Sequence, residues 1–402
     1  MNHTQSRREF LVRSGQWAVG AGLLGGLVPK LSTSPGAWPA AGKVITRTLG
    51  KTGLELPVVS FGVMNADVPG LVRRAYELGM RHYDTAAAYQ RGRNEEMVGS
   101  MLKDMGVRDK VIVATKVSLW NRAKDPTARD VFRQTFEGSL QRLHMDQVDI
   151  LYHHMVDNLD DLKAEGPLHA LAELKKEGKT RFVGFSTHQG SLILPEATKM
   201  GLFDVALVAF NYTMANDKAL LDALEGAARA GMGIVAMKTQ AGGLSHPDRG
   251  LPKTLPPHSQ TALLKWALRH PFVGTAIPGV TTYEQMEQNF TVASDLEFTD
   301  AEQAFLADKT FSARAQFCRQ CAQCLGDCPR GVDIPTLMRS HMYAMQYANW
   351  ELAGSTLATI EAGRNLDVCR ACGSCSAQCR HDVNIAMKID QLKTTELGIV
   401  AG

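Results

Sequence analysis

At 402 residues the chain exceeds one ordinary compact core and predicts two domains. With 45% hydrophobic and 21% charged residues it reads as globular, and a net charge of +3 with no basic block gives no footing for a nucleic-acid partner. All 8 cysteines lie beyond residue 317, and that crowding points to metal ligation in place of scattered disulfides.

The chain opens with Ser6-Arg7-Arg8-Glu9-Phe10-Leu11, an apolar glycine-rich run over 17–28, and a Pro/Ser/Ala stretch to residue 42. A charged start, a short apolar core and small residues afterwards make a signal peptide, with residues 1–42 as signal and linker. The apolar core is short and glycine-broken for a membrane span. The paired arginines before Phe-Leu resemble a twin-arginine signal, which implies export of a folded protein to the periplasm by the twin-arginine machinery. An ordinary secretory signal, a disordered tail and an uncleaved anchor stay open.

Over 43–298 strand and helix patterns alternate. Gly50-Lys51-Thr52-Gly53 sits between two short extended runs and reads as a hairpin. Val58-Val59-Ser60-Phe61-Gly62 reads as a buried strand. Leu71, Val72, Ala75 and Leu78 follow at helical spacing, and Met97, Val98, Met101 and Leu102 mark a second helix. Apolar runs ending near Asp84, Lys116, His154, Phe185, Val208, Ala236 and Ile277 supply further strands. Eight strands in about 250 residues is the size of a (β/α)₈ barrel. A doubly wound sheet is the rival, but no glycine-rich dinucleotide fingerprint follows a strand.

Three successive strands end in chemistry: Asp84 with Tyr89, then Lys116, then His154. Barrel closure brings such ends together on one face. A phenol can donate a proton, an ammonium beside it favours the phenolate, and a carboxylate offers the buried ammonium a counter-ion. An Asp84–Lys116 ion pair of purely structural meaning is the bland alternative.

Arg47-Thr48-Leu49-Gly50-Lys51-Thr52-Gly53-Leu54, Asp84-Thr85-Ala86 with Tyr89, and Asn94-Glu95-Glu96-Met97-Val98-Gly99 resemble the aldo-keto reductases. Thr115-Lys116, Val148-Asp149 with His154, and Gly184-Phe185-Ser186 add to that likeness. The resemblance implies a barrel that reduces carbonyls with a nicotinamide cofactor. It assigns Asp84, Tyr89, Lys116 and His154 as the catalytic tetrad. His154 is preferred over His153 because the family histidine lies five residues beyond the strand aspartate, here Asp149. Strand alternation also sends the two rings to opposite faces.

The same resemblance places Ser186 on the carboxamide, Met237 where a tyrosine stacks on the nicotinamide, and Gln288 and Asn289 on the adenine side. Thr187 stands where asparagine is common and Leu207 where glutamine is common. Around Ile277-Pro278-Gly279-Val280 the lysine and serine for a 2′-phosphate are missing, and Gln285 replaces the arginine. An NADP site wants fixed cations around a phosphate. NAD, weak binding, or no dissociable nicotinamide therefore stay open. Lys238 reads equally as a cofactor contact or a solvated lysine.

Residues 299–402 read as a linking helix and an iron–sulfur domain. Thr299-Asp300-Ala301-Glu302 carries a capping-box pattern. Cys318-x2-Cys321-x2-Cys324-x3-Cys328-Pro329 repeats as Cys369-x2-Cys372-x2-Cys375-x3-Cys379, with Arg380 in the proline's place. Each run offers three thiolates to one cubane and a fourth to its neighbour. Resemblance to two-cluster ferredoxins implies two 4Fe–4S clusters. Cys318, Cys321, Cys324 and Cys379 would hold one; Cys369, Cys372, Cys375 and Cys328 the other. The apolar spacing over 334–362 looks helical and favours a small, mainly helical ferredoxin-like domain. Zinc is the alternative metal.

Together these readings describe an exported oxidoreductase interconverting a small-molecule carbonyl and alcohol. Its clusters would relay electrons to or from an external redox carrier. An electron-transfer protein with the barrel as scaffold, and a nicotinamide-dependent reductase with structural clusters, are the alternatives. Trp120 and residues 242–257 are candidates for shaping the substrate pocket.

Overall fold

The computed structural model describes residues 43–119, 122–241, 256, 258–308 and 318–395. The arginine-pair signal, Trp120 and almost all of 242–257 lie outside the described residues. The described residues belong to one unit spanning 41–402.

The hairpin strands β1 (Thr46–Thr48) and β2 (Glu55–Pro57) pair antiparallel, Thr46 opposite Pro57. Eight parallel strands follow: β3 (Phe61–Gly62), β4 (His82–Asp84), β5 (Ile112–Val117), β6 (Val148–His153), β7 (Thr180–Thr187), β8 (Val205–Ala209), β9 (Gly233–Met237) and β10 (Thr275–Ala276). They neighbour one another in chain order. The sheet closes through parallel bridges Val59 to Ala276 and Gly62 to Gly279, and Ser60 N donates to Ala276 O at 2.8 Å. The result is the expected barrel. Every residue of β4, β6 and β8 is buried. Strands covered on both faces need continuous apolar character, which is why these runs do not alternate.

Alternation instead sorts side chains between two cores. Ala114, Ile150, Tyr152, Leu207 and Val235 point inward and meet Leu49, Leu54 and Leu56 of the hairpin. The hairpin thus plugs the end of the barrel where the strands begin. Gly50 has φ +53, and a Cβ there would stand 2.3 Å from Gly233 N, so only glycine fits. The opposite end, where the strands finish, is left for the site. Outward-facing Val113, Leu151, Val183 and Ala206 pack with Phe132, Phe136 and Leu171 of the helical layer.

The helix Asp300–Ala307 begins with the expected capping box between Thr299 and Glu302. The helical stretch at 334–362 forms two helices, Ile334–Met345 and Trp350–Leu357. Ala348 is left-handed at the break, and the Asn349 side chain accepts from Leu352 N at 3.0 Å to start the second helix. The cysteine-rich segment docks on the loops after the barrel strands. Arg339 approaches Asp157 at 3.8 Å, Gln189 Nε2 donates to Arg319 O at 2.8 Å, and Arg319 donates to Thr213 O at 2.6 Å. Asn349 also donates to Asn65 at 3.1 Å.

Candidate active site and thiol clusters

Asp84 closes β4 and Lys116 lies near the end of β5; each is about 1% exposed. Lys116 Nζ donates to Asp84 Oδ1, to Thr85 O at 2.7 Å and to the Tyr89 hydroxyl at 3.2 Å. Tyr89 reaches this point from the loop after β4, where Gln90 and Arg91 have positive φ. His154 follows β6, and its ring meets the Tyr89 ring edge-on at 5.9 Å. The structure therefore brings Asp84, Tyr89, Lys116 and His154 together. His153 turns the other way and packs edge-on against Phe132 in the helical layer.

Enclosure dominates the electrostatics. Burial pushes the Asp84 carboxyl up and the Lys116 ammonium down, and their mutual attraction opposes both shifts. Burial, then the Asp84 carboxylate, push the Tyr89 phenol well above its ordinary value. The lowering expected from Lys116 is thus outweighed. Taking a phenolate out of water costs more than one ammonium returns when that ammonium is already shared with a carboxylate. Burial, then Lys116, hold His154 far below the usual histidine range, so it stands neutral. Its Nδ1 and Asp84 Oδ2 are buried without a hydrogen-bond partner.

Asp84, Tyr89 and His154 line a cavity of about 370 Å³, with Lys116 behind them. Ser186, Leu207 and Met237 wall its middle, and Gln285, Gln288 and Asn289 its far end. Ser186 Oγ accepts from Met155 N at 2.8 Å, which leaves its hydroxyl proton for another acceptor. Asn289 Oδ1 accepts from Gln240 Nε2 at 2.7 Å, and Gln285 Oε1 from Thr281 N at 2.9 Å. Those amides are neutral, and Lys238 lines the same cavity. Among the described residues the cavity shows no cation cradle for a 2′-phosphate around Gln285, Gln288 and Asn289.

Three lining residues come from the cysteine-rich segment and have no local sequence signal: Tyr343, Gln346 and Tyr347. His188 lacks one too. It donates from its backbone N to Asp157 at 2.6 Å, with Nδ1 at 2.9 Å from the other carboxylate oxygen. Burial alone would raise the Asp157 carboxyl, yet His188 and Arg339 hold it far below its ordinary range.

All eight cysteines are free thiols. Cys318, Cys321, Cys324 and Cys379 surround one small cavity, with Pro335 and Met338. Burial pushes the Cys318 thiol up to about 12, and its three companions add to the rise. Cys369 is pushed up to about 11, foremost by burial, with Cys328, Cys375 and Cys372 contributing. The two quartets are those implied by the ferredoxin likeness, each taking its fourth thiol from the other run. Among the described residues no three His, Cys, Asp or Glu side chains gather tightly enough for a single metal ion. A zinc site needs sulfurs about 2.3 Å from one centre. Cubane ligands are spread over several irons, and four thiols per basket suit that donor set. Bound iron supplies the charge that turns such buried thiols into thiolates.

The aldo/keto reductase family model matches residues 62–256, and a 4Fe-4S dicluster domain matches 317–384. L-galactose dehydrogenase of Arabidopsis thaliana is 30% identical over 301 residues, covering 66% of this chain and 93% of that protein. L-glyceraldehyde 3-phosphate reductase of Escherichia coli K12 is 27% identical, covering 65% of this chain and 91% of its own length. Among solved structures, the holo form of an aldo-keto reductase from Bacillus halodurans matches with TM-score 0.57 and 23% identity, covering 70% of this chain and all of that one. A Klebsiella pneumoniae aldo/keto reductase in complex with NADP and acetate matches with TM-score 0.52 and 24% identity, over 68% of this chain and 98% of its own. At those identities the likeness shows the fold. The chain belongs to the aldo/keto reductase family and is an iron–sulfur oxidoreductase with a 4Fe–4S dicluster domain beyond its barrel.

Proposed function

We propose that the protein interconverts an alcohol and a carbonyl at the tetrad and exchanges the two electrons with an external carrier by way of its cysteine-rich segment. One observation carries this reading. The helix Ile334–Met345 walls both sites: Pro335 and Met338 face the first thiol basket, and Tyr343 faces the tetrad cavity. From Met338 to Tyr343 is a rise of only ~7.5 Å.

Oxidising an alcohol to a carbonyl releases two electrons and two protons. Tyr89 manages the proton on the reacting oxygen. With its pKa raised, it holds that proton at neutral pH and yields it only as negative charge develops on the carbonyl. Lys116 stabilises the phenolate left behind, and Asp84 fixes Lys116. Neutral His154 orients the oxygen from the other side. Two 4Fe–4S clusters, when bound, supply two one-electron carriers. A nicotinamide, when bound, supplies a hydride donor or acceptor, and Ser186, Met237, Gln288 and Asn289 would hold it. The neutral far end favours NAD over NADP.

We also infer export of the folded protein to the periplasm by the twin-arginine route, from Arg7-Arg8 and Phe10-Leu11. Thiol clusters are assembled under reducing conditions, and only a pathway for folded proteins carries them out intact. The test is Tyr89→Phe in the cluster-loaded protein. Turnover should fall by at least ~100-fold with the iron–sulfur absorbance unchanged. Unchanged redox function in that variant would leave the barrel as a scaffold.

A further inference from the structure

Lys238 directly follows β9 and lines the tetrad cavity. Its backbone is left-handed, φ 57, a conformation that costs a non-glycine residue ~1–3 kcal/mol. The ammonium lies over two ring faces from the cysteine-rich segment, 5.3 Å from the Tyr343 centroid and 5.6 Å from that of Tyr347. Among the described residues it has no carboxylate within 4 Å. The nearby acids are already engaged: Asp84 by Lys116, and Asp157 by His188 and Arg339. Ring faces attract a cation but do not neutralise it. Lys238 is half-buried, and a cation drawn out of water without a counter-ion is destabilised. Burial accordingly pushes the Lys238 ammonium down to about 7, with Arg339 and Lys116 adding to the fall.

When protonated, Lys238 gives the cavity one positive charge beyond those it pairs internally, and a bound anion favours that form. Tyr343 stands beside it with its phenol pushed up to about 12, foremost by burial, so it remains a hydrogen-bond donor. We propose that Lys238, roofed by Tyr343 and Tyr347, is an oxyanion subsite beside the tetrad, and that the substrate is an alcohol or carbonyl compound bearing a carboxylate or phosphate near the reacting carbon. This rests on the tetrad cavity being the reaction site. The bound oxyanion supplies the counter-charge that the protein withholds, and the barrel and the cysteine-rich segment grip the substrate jointly. An oxyanion in this position has two sources, the substrate or the phosphates of a dinucleotide; the electrostatic reach of Lys238 to Lys116 of the tetrad, and its place against Tyr343 and Tyr347, favour the substrate.

The test uses the full-length, cluster-loaded protein in the wild type, Lys238→Met and Lys238→Arg forms. Calorimetric titrations with acetate, inorganic phosphate and NADH are compared. The subsite predicts saturable binding of acetate or phosphate, weakened about tenfold or more in Lys238→Met and kept within about threefold in Lys238→Arg. NADH affinity should change less than about twofold. Iron–sulfur absorbance equal to wild type shows that each variant is folded. No saturable anion binding, or equal binding in Lys238→Met, overturns the proposal. A tenfold loss of NADH affinity, with or without loss of the small anions, reassigns the lysine to the nucleotide and overturns it too. Substrate-driven bleaching of the clusters tests the relay separately, so failure of either reading leaves the other to its own assay.

Discussion

The two ends of the cavity differ in kind. At the strand ends Lys116 links Asp84 and Tyr89 by hydrogen bonds, and the His154 ring packs edge-on against Tyr89. At the far end Gln285, Gln288 and Asn289 offer neutral amides where a phosphate-binding site would place cations. Between them stand Lys238 and the tyrosines of the cysteine-rich segment. Proton chemistry at a carbonyl is equipped, while tight capture of a phosphorylated dinucleotide is not. The comparison separates two properties that a barrel reductase ordinarily combines, and the cluster segment contributes Tyr343 and Tyr347 to the wall of the same cavity.

The largest effect should come from breaking the equipped end. Lys116→Met removes the ammonium that stabilises a Tyr89 phenolate and strands Asp84 as an uncompensated buried carboxyl. Turnover should fall by ~10³-fold or more. Asp84→Asn should also lose activity, and the melting temperature of Lys116→Met should drop, since breaking a buried pair costs ~3–5 kcal/mol. Activity retained within a few-fold in Lys116→Met would mean that the cluster of groups is structural.

Next comes the cysteine-rich segment. Cys324→Ala should remove one cluster, about half of the iron, because each basket draws on four thiols. The second run would keep its own three thiols and Cys328. Iron analysis and absorbance check this; complete loss of iron would show that the baskets assemble only together.

The docking of that segment should be sensitive to acid. Asp157 has a carboxyl held far below its ordinary value, so its contribution is complete above about pH 4 and is lost as pH falls through the depressed value. Asp157→Asn should lower stability at pH 7 by ~1–3 kcal/mol and flatten the acid limb of the stability curve. Thermal melts at pH 7 and pH 3 for both proteins measure this. An equal loss at both values would contradict the sign.

The smallest effect concerns the neutral end. Gln285→Arg supplies one cation near the position expected of a 2′-phosphate. NADPH affinity should rise by a few-fold, ~1 kcal/mol, with NADH affinity nearly unchanged. Fluorescence titration of the two nucleotides reads the difference.

Much of the barrel and of the tetrad is legible in the amino-acid sequence. The strand ends carrying Asp84, Lys116 and His154 stand out because buried parallel strands are continuous apolar runs, and a charged residue closing one interrupts the pattern. The cysteine quartets are legible because cluster spacing is local in sequence. The family spacing from Asp149 picks His154, and the two-residue period sends His153 to the other face. The direction of the Tyr89 shift is not legible. Burial of that phenol is a property of the whole barrel mouth, and no local pattern carries it. Tyr343, Gln346 and Tyr347 are invisible as site residues because a long-range contact places them there. Tyr343 in its helix, and Gln346 and Tyr347 just beyond it, look like ordinary packing. Lys238 is ambiguous in sequence for the same reason, since its neighbours come from residues about a hundred positions away.

One measurement tests the central claim most directly: absorbance of the clusters in oxidised protein carrying at most one bound NAD per chain, with none free, after adding an alcohol substrate identified by turnover. The account predicts bleaching of the iron–sulfur bands, abolished in Tyr89→Phe. Clusters that stay oxidised while added NAD is reduced at the full turnover rate would contradict it.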